Sequence, residues 1–174
     1  VERAKGGIGL IIVEYTRIET ELQPASATGA NLQLDSHSHI AGMSQLTDAV
    51  HEYGTRIFVQ LSLGLGSYGV PELYPKGKLA NAVSETYSPL WPDRVLHVLT
   101  TDEIEQLIEA FAEATERARI AEFDGVDIHG HSMYLLAQFM SPYTNKRTDK
   151  YGDPAALPLE LIKAVKDKVG NDYP

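Results

Sequence analysis

Apolar residues in this chain fall into three short runs, separated by longer stretches in which they recur every third or fourth position. The runs are residues 8–13 (IGLIIV), 56–61 (RIFVQL) and 125–129 (GVDIH). Gly6 and Gly7 precede the first, and Gly54 precedes the second. The first is apolar at nearly every position, which predicts a parallel strand covered on both faces. Helical spacing lies between the runs. Residues 40–53 carry Ile40, Met43, Leu46, Thr47 and Val50 on one stripe, with Gly54 just past the end. Residues 101–122 predict the clearest helix. Thr100 is a good N-cap, Glu103 completes a capping box, and Leu99 and Ile104 are placed for a hydrophobic staple. Ile104, Leu107, Ile108, Phe111 and Ala118 form its inward stripe, and its glutamates, Glu103, Glu105, Glu109, Glu113 and Glu116, form a solvated face. A last helix is expected over 157–169, stopped by Gly170.

Strands alternating with helices predict an α/β fold with a parallel sheet. No repeat, low-complexity run or flexible linker divides the chain. The excursion from residue 62 to 99 is long and rich in proline and glycine. Its length predicts a lid or an elaborated active-site loop. Within it, Gly64-Leu65-Gly66-Ser67-Tyr68-Gly69 fits the spacing of a dinucleotide-binding turn. That motif needs a helix to start at once, and the prolines at 71 and 75 argue against one.

The chain has 174 residues, 43% of them hydrophobic, which is enough for one domain with a real core. A formal net charge of −9 with no basic patch argues against a nucleic-acid partner. No apolar run is long enough to span a membrane, which takes about 20 residues, and no signal peptide is visible. The absence of cysteine removes thiolate chemistry and cysteine-based metal sites, and suits a cytoplasmic protein. The chain opens on Val1 in mid-pattern, so it is read as a piece of a longer protein.

The third run delivers His129 at its carboxyl end, and Tyr134 follows five residues later. A histidine and a tyrosine at a strand's carboxyl end sit where α/β barrels place their chemistry. The whole stretch from 125 to 152, GVDIHGHSMYLLAQFMSPYTNKRTDKYG, resembles the active-site segment of the Old Yellow Enzyme family of FMN-dependent NADH:flavin oxidoreductases and ene-reductases. ERAKGGIGLIIVE, HSHIAGMSQLTDAVHEYGTRIFVQLSLGLG and the lead into GVDIHG resemble other segments of that family. VLTTDEIEQLIEAF and QLSLGLG lean toward its 2-enoate reductase branch.

The resemblance implies a partial (β/α)8 TIM barrel, about strands two to four with their helices. Residues 1–174 would then be the N-terminal part of one FMN-binding domain, truncated at both ends. It implies FMN as cofactor, NADH or NADPH as hydride donor, and a small electron-poor alkene as substrate. A homo-oligomer of the full-length protein is compatible with it.

Residue by residue, Gln60 matches the glutamine that hydrogen-bonds the flavin's pyrimidine edge, for which an amide has both donor and acceptor. His129 matches the first of a pair that holds the substrate's activating oxygen. Ser132 or His131 falls at the second position, depending on how the spacing is counted. Tyr134 matches the tyrosine that protonates the substrate α-carbon, a role open to a phenol. Asn145, Arg147, Asp149 and Tyr151 match a loop held by internal hydrogen bonds and ion pairs.

Three departures stand out. Met133 occupies a usual glycine position, Ser67 a usual arginine position, and residues 153–158 lack the family's Glu-Asn-Arg. A backbone turn needing φ > 0 at Met133 would be strained. The expected activity is hydride transfer from NAD(P)H through flavin to an activated C=C bond. The alternative is a truncated fragment of such an enzyme with no activity of its own, since half a parallel barrel leaves open strand edges. An unrelated aldolase or metal hydrolase would need a strand-end lysine or a His/Asp cluster, and neither is present. No metal site is expected.

Overall fold

The computed structural model describes residues 1–18, 22, 32–70, 74, 78–131 and 133–174. The expectation placed on Ser132, and the part of the 62–99 excursion at 71–73 and 75–77, lie outside the described residues. A short helix α1 (Glu2–Lys5) leads into strand β1 (Leu10–Arg17). Then come β2 (Leu32–Gln33), α2 (Ile40–His51), β3 (Arg56–Ser62), β4 (Asn81–Ala82) and β5 (His97–Val98). The chain continues through α3 (Thr101–Ile120), β6 (Gly125–Ile128), α4 (Leu135–Met140) and α5 (Ala156–Val169). The main sheet runs β2-β1-β3-β6 with every pairing parallel.

Register sorts the side chains of that sheet into two faces. Ile11, Ile57 and one diagonal further Val13, Val59 and Val126 share the face toward the helices. Ile57, Val59 and Leu61 are fully buried there, in one core with Val50 of α2, Leu107 and Phe111 of α3, and Leu161 and Val165 of α5. Burying each such side chain contributes about 1.5–3 kcal/mol. Ile12, Phe58 and Gly125 fall on the opposite face, one row below Gln60 and Asp127.

The helices begin and end where the sequence places them, within two residues. Thr100 Oγ1 accepts from the Glu103 N–H at 3.2 Å, and the Glu103 carboxylate accepts the Thr100 N–H at 2.8 Å. Leu99 and Ile104 are both buried beside this cap. Helix α5 ends at Gly170, whose φ is +89°. The glutamates of α3 do more than face water. Glu109 and Glu113 both meet Lys168 of α5, and Glu105 meets Lys150. These pairs are exposed and add little stability individually.

The first strand departs from its prediction in two ways. It starts at Leu10 and continues to Arg17, because Tyr15 and Thr16 are good strand formers and β2 gives Thr16 and Arg17 a second partner. It is also not covered on both faces. Leu10 and Ile12 are 41% and 49% exposed, while Ile11 and Val13 pack against the core. In the 62–99 excursion, Gly66–Tyr68 forms one 3₁₀ turn rather than an α-helix, and β4 pairs with β5. Arg147 fastens this segment by donating to the Val83 and Leu99 carbonyls at 2.8 and 2.6 Å.

At the amino ends of the strands Asp124 acts as a clamp. It accepts from the Ile57 N–H at 2.9 Å and from Arg56 at 2.5 Å, and pairs with His51 Nε2 at 2.9 Å. His97 pairs with Glu103 at 2.8 Å and His39 with Asp35 at 3.0 Å, so these histidines serve as structural partners. No described helix is long and apolar enough to cross a membrane.

Gly125 marks a close approach. A Cβ there would lie 2.6 Å from the Phe58 ring on the paired strand. Gly125→Ala is therefore expected to destabilise the full-length protein by about 1–3 kcal/mol through overpacking. Thermal unfolding checks this, and an unchanged midpoint would mean that the ring simply turns aside.

Candidate active site at the carboxyl ends of the strands

The parallel strands β1, β3 and β6 end together, and their last side chains form the site. Arg17 is in register with Ser62, and the β3–β6 register continues one step to bring Ser62 opposite His129. The His129 N–H donates to the Leu61 carbonyl at 2.9 Å, which carries the ladder one residue past β6. His129 Nδ1 then lies 3.2 Å from Ser62 Oγ.

A bulge in β1 builds the aromatic wall. The β1–β3 register slips between Val13 and Thr16, so Glu14 and Tyr15 together oppose Gln60. Such an insertion re-aims a side chain locally. Here it turns Tyr15 toward the site, where its ring meets His129 edge-on at 5.6 Å and Tyr134 at 6.2 Å between centroids. Tyr134 is the N-cap of α4 and stands 4.9 Å from His129 and 5.1 Å from His131. The His129 and His131 rings stack at 6.1 Å with 19° between their planes. Of the expected site residues, His129, His131 and Tyr134 thus come together. Gln60 lies one row below them, and Ser132 is outside the described residues.

The tautomer of His129 depends on its contact with Ser62. Ser62 Oγ accepts the Gly64 N–H at 3.1 Å, and the Tyr15 hydroxyl also pairs with Ser62. If the Ser62 O–H donates to His129 Nδ1, Nε2 carries the ring proton and is a donor toward the site. Burial holds the His129 pKa below its ordinary 6.5. The neighbouring His131 lowers it further and Asp127 opposes this. Burial also pushes the Tyr15 hydroxyl up, partly offset by Ser62.

The Gln60 amide is poised between two uses. Its Nε2 donates to Asp127 Oδ2 at 2.6 Å. Among the described residues, its second N–H and its Oε1 keep no protein partner, so a donor and an acceptor stand side by side.

Met133 does not carry the strain expected at a glycine position. Glu122 is the one described non-glycine residue with positive φ. The turn is held instead by Gln138. Its Nε2 donates to the carbonyls of Met133 at 2.7 Å and Leu65 at 3.1 Å, and its Oε1 accepts the Ser67 N–H at 3.2 Å. Gly66 is required beside it, with φ +59° and the Gln138 amide 2.5 Å from where a Cβ would sit. The loop residues behave as braces. Asn145 donates to the carbonyls of Phe139 and Tyr151 at 2.8 and 2.7 Å, Arg147 pairs with Asp149, and the Tyr151 hydroxyl donates to Glu160 at 2.8 Å.

Sequence reasoning missed Tyr15, Arg17 and Ser62 at the site. Ending the first two runs at Val13 and Leu61 left all three outside the expected strands. The strand propensity of Tyr15 and Thr16 was the available signal.

His131→Gln should raise the His129 pKa and Asp127→Asn should lower it, as the charges around the ring require. NMR titration of the imidazole checks both directions. The sign for stability follows. A histidine whose folded pKa lies below its unfolded value costs stability as pH falls below about 6.5, because the unfolded chain takes the proton first. A His129 titration unmoved by either substitution would show that the two groups do not face the ring.

Residues 1–173 match the family model described as NADH:flavin oxidoreductase / NADH oxidase family. The chain is 38% identical to an NADH oxidase of Thermoanaerobacter brockii, over all of this chain and 27% of that protein. It is 37% identical to a cinnamate reductase of Clostridium sporogenes, again over all of this chain and 27% of the relative. It therefore spans about a quarter of the length of these relatives. Morphinone reductase superposes with a TM-score of 0.82 at 28% identity, over 94% of this chain and 48% of that one. Members of the matched family are FMN-dependent, with NADH or NADPH as donor. With nearly its whole length matched and its strand ends carrying the expected histidine and tyrosine, the chain belongs to the NADH:flavin oxidoreductase / NADH oxidase family.

Proposed function

We propose that the protein containing this chain is an ene-reductase that moves hydride from NADH or NADPH through FMN to the activated C=C bond of an enone or enoate. One observation carries the reading. His129 and Tyr134 converge at the carboxyl end of a parallel sheet, one row beyond the half-open amide of Gln60. Cinnamate, the compound in one relative's name, is an enoate and supports the substrate class.

The donor set suits FMN. The free N–H and Oε1 of Gln60 can pair with the alternating carbonyl and N–H groups of a pyrimidine edge. When bound, the flavin supplies the hydride, which adds to the substrate β-carbon. The remaining work falls to the chain. His129 donates from Nε2 to the substrate's carbonyl or carboxylate oxygen, which draws electron density from the double bond and stabilises the enolate that forms. His131, stacked beside it, is the second partner for that oxygen. Tyr134 gives its hydroxyl proton to the α-carbon, completing addition of one hydride and one proton.

On this reading β1, β3 and β6 are strands two to four of an eight-stranded barrel, and residues 1–174 are the N-terminal part of its single domain. The exposed Leu10 and Ile12 support it, since that face would line the barrel interior. The same exposure favours a second proposal, that the 174 residues have no activity on their own.

Rapid-reaction kinetics on the full-length protein separate the roles. Tyr134→Phe should slow reduction of the alkene by about 10²-fold or more, the usual weight of a general acid, while reduction of the flavin by NADPH or NADH stays within a few-fold. His129→Ala should raise the substrate KM and lower kcat together. An unchanged alkene half-reaction in Tyr134→Phe would remove the tyrosine from the chemistry.

A further inference from the structure

Arg17 is a buried cation that this chemistry does not use. It ends β1, in register with Ser62, and so belongs to the row that holds His129 two strands away. Its neighbour Thr16 is in register with Leu61 on the helix side, which puts Arg17 on the open face with the site. The residue is 7% exposed, whereas Leu10 and Ile12 on the same strand are widely open. Its Nε is buried without a hydrogen-bond partner, and among the described residues it forms no ion pair.

A buried guanidinium in that condition is unusual. It keeps its charge at every accessible pH and carries five N–H donors. Leaving a donor such as the Arg17 Nε unpaired away from water is costly, so this nitrogen calls for a partner that the described residues do not supply. The partner must be an anion or a strong acceptor, and a carboxylate fits the planar fork best. Two strand spacings place the Arg17 and His129 backbones about 10 Å apart, a distance that the long arginine side chain and a small bound acid can bridge between them. The charge of Arg17 also reaches Tyr15, whose ring touches both His129 and Tyr134.

We infer that Arg17 is the carboxylate anchor of the site, pairing with one carboxylate oxygen of an α,β-unsaturated acid and selecting enoates over neutral enones. This rests on the ene-reductase reading and sharpens it to one substrate class. Catalysis itself is unchanged: Arg17 binds and orients, while His129 and Tyr134 act on the reacting atoms.

The test uses the full-length protein, its Arg17→Gln and Arg17→Lys variants, and two alkenes of similar size, cinnamate and the neutral ketone 4-phenylbut-3-en-2-one. Arg17→Gln should lower the ratio of kcat/KM for cinnamate to that for the ketone by about 10- to 100-fold, the weight of a charge-assisted hydrogen bond. Most of the change should lie in KM, and Arg17→Lys should recover part of it. Binding of saturated 3-phenylpropanoate and its amide, followed by calorimetry, gives a readout that needs no turnover. The acid should lose affinity in Arg17→Gln and the amide should not. An unchanged ratio, an equal loss on both alkenes, or loss of bound flavin at an unchanged ratio would overturn the anchor; the last would assign the cation to the cofactor. If the wild type reduces neither alkene but binds 3-phenylpropanoate through Arg17, the anchor stands and the hydride-transfer reading falls.

Discussion

The register of three parallel strands is the constraint on which this site depends. A side chain's face is fixed by strand parity, so a slip of one residue would send Ser62 and His129 into the helix layer and Leu61 and Ile128 into the site. Two features pin the alignment. At the amino edge, Asp124 ties the start of β6 to the Ile57 N–H and the Arg56 guanidinium of β3. One residue further on, the Phe58 ring lies over Gly125, where any side chain would have to displace the ring. With the register held, the carboxyl ends carry Arg17, Ser62 and His129 in one row and Gln60 with Asp127 in the row beneath.

A second layer of order comes from side chains that touch nothing reactive. Gln138 spends its whole amide on backbone groups of Met133, Leu65 and Ser67, joining the turn after β3 to the turn after β6. Tyr134 stands at the N-cap position of the helix that carries Gln138, so the brace also positions the tyrosine. Arg147 and Asn145 perform the same service one loop further out. Buried amides and guanidinium groups suit this work, since each can satisfy several carbonyls from one rigid plane.

Much of this was legible in the sequence. Helical stripes, the Thr100 capping box and Gly170 marked the helices because local periodicity and capping decide helix ends. GVDIHGHSMYLLAQF gave His129, His131 and Tyr134 through its match to a known segment. A β-bulge leaves no periodic trace, so the apolar run of β1 was taken to stop before Tyr15, and Arg17 was lost with it. Nor could periodicity reveal that Leu10 and Ile12 face open space, since a strand buried on both sides and one half-exposed read alike when every position is apolar. The strain expected at Met133 failed for a related reason: the turn takes its shape from the long-range contact to Gln138.

Visible absorbance of the full-length protein tests the central claim most directly. Purified or mixed with FMN, it should hold about one flavin per chain, bleach anaerobically on adding NADH or NADPH, and regain its colour when an enoate or enone is supplied. The Gln60→Ala variant should hold that flavin more weakly. A full-length protein that stays colourless and takes up no FMN would contradict the account, leaving the arrangement at the strand ends as shared ancestry without shared chemistry.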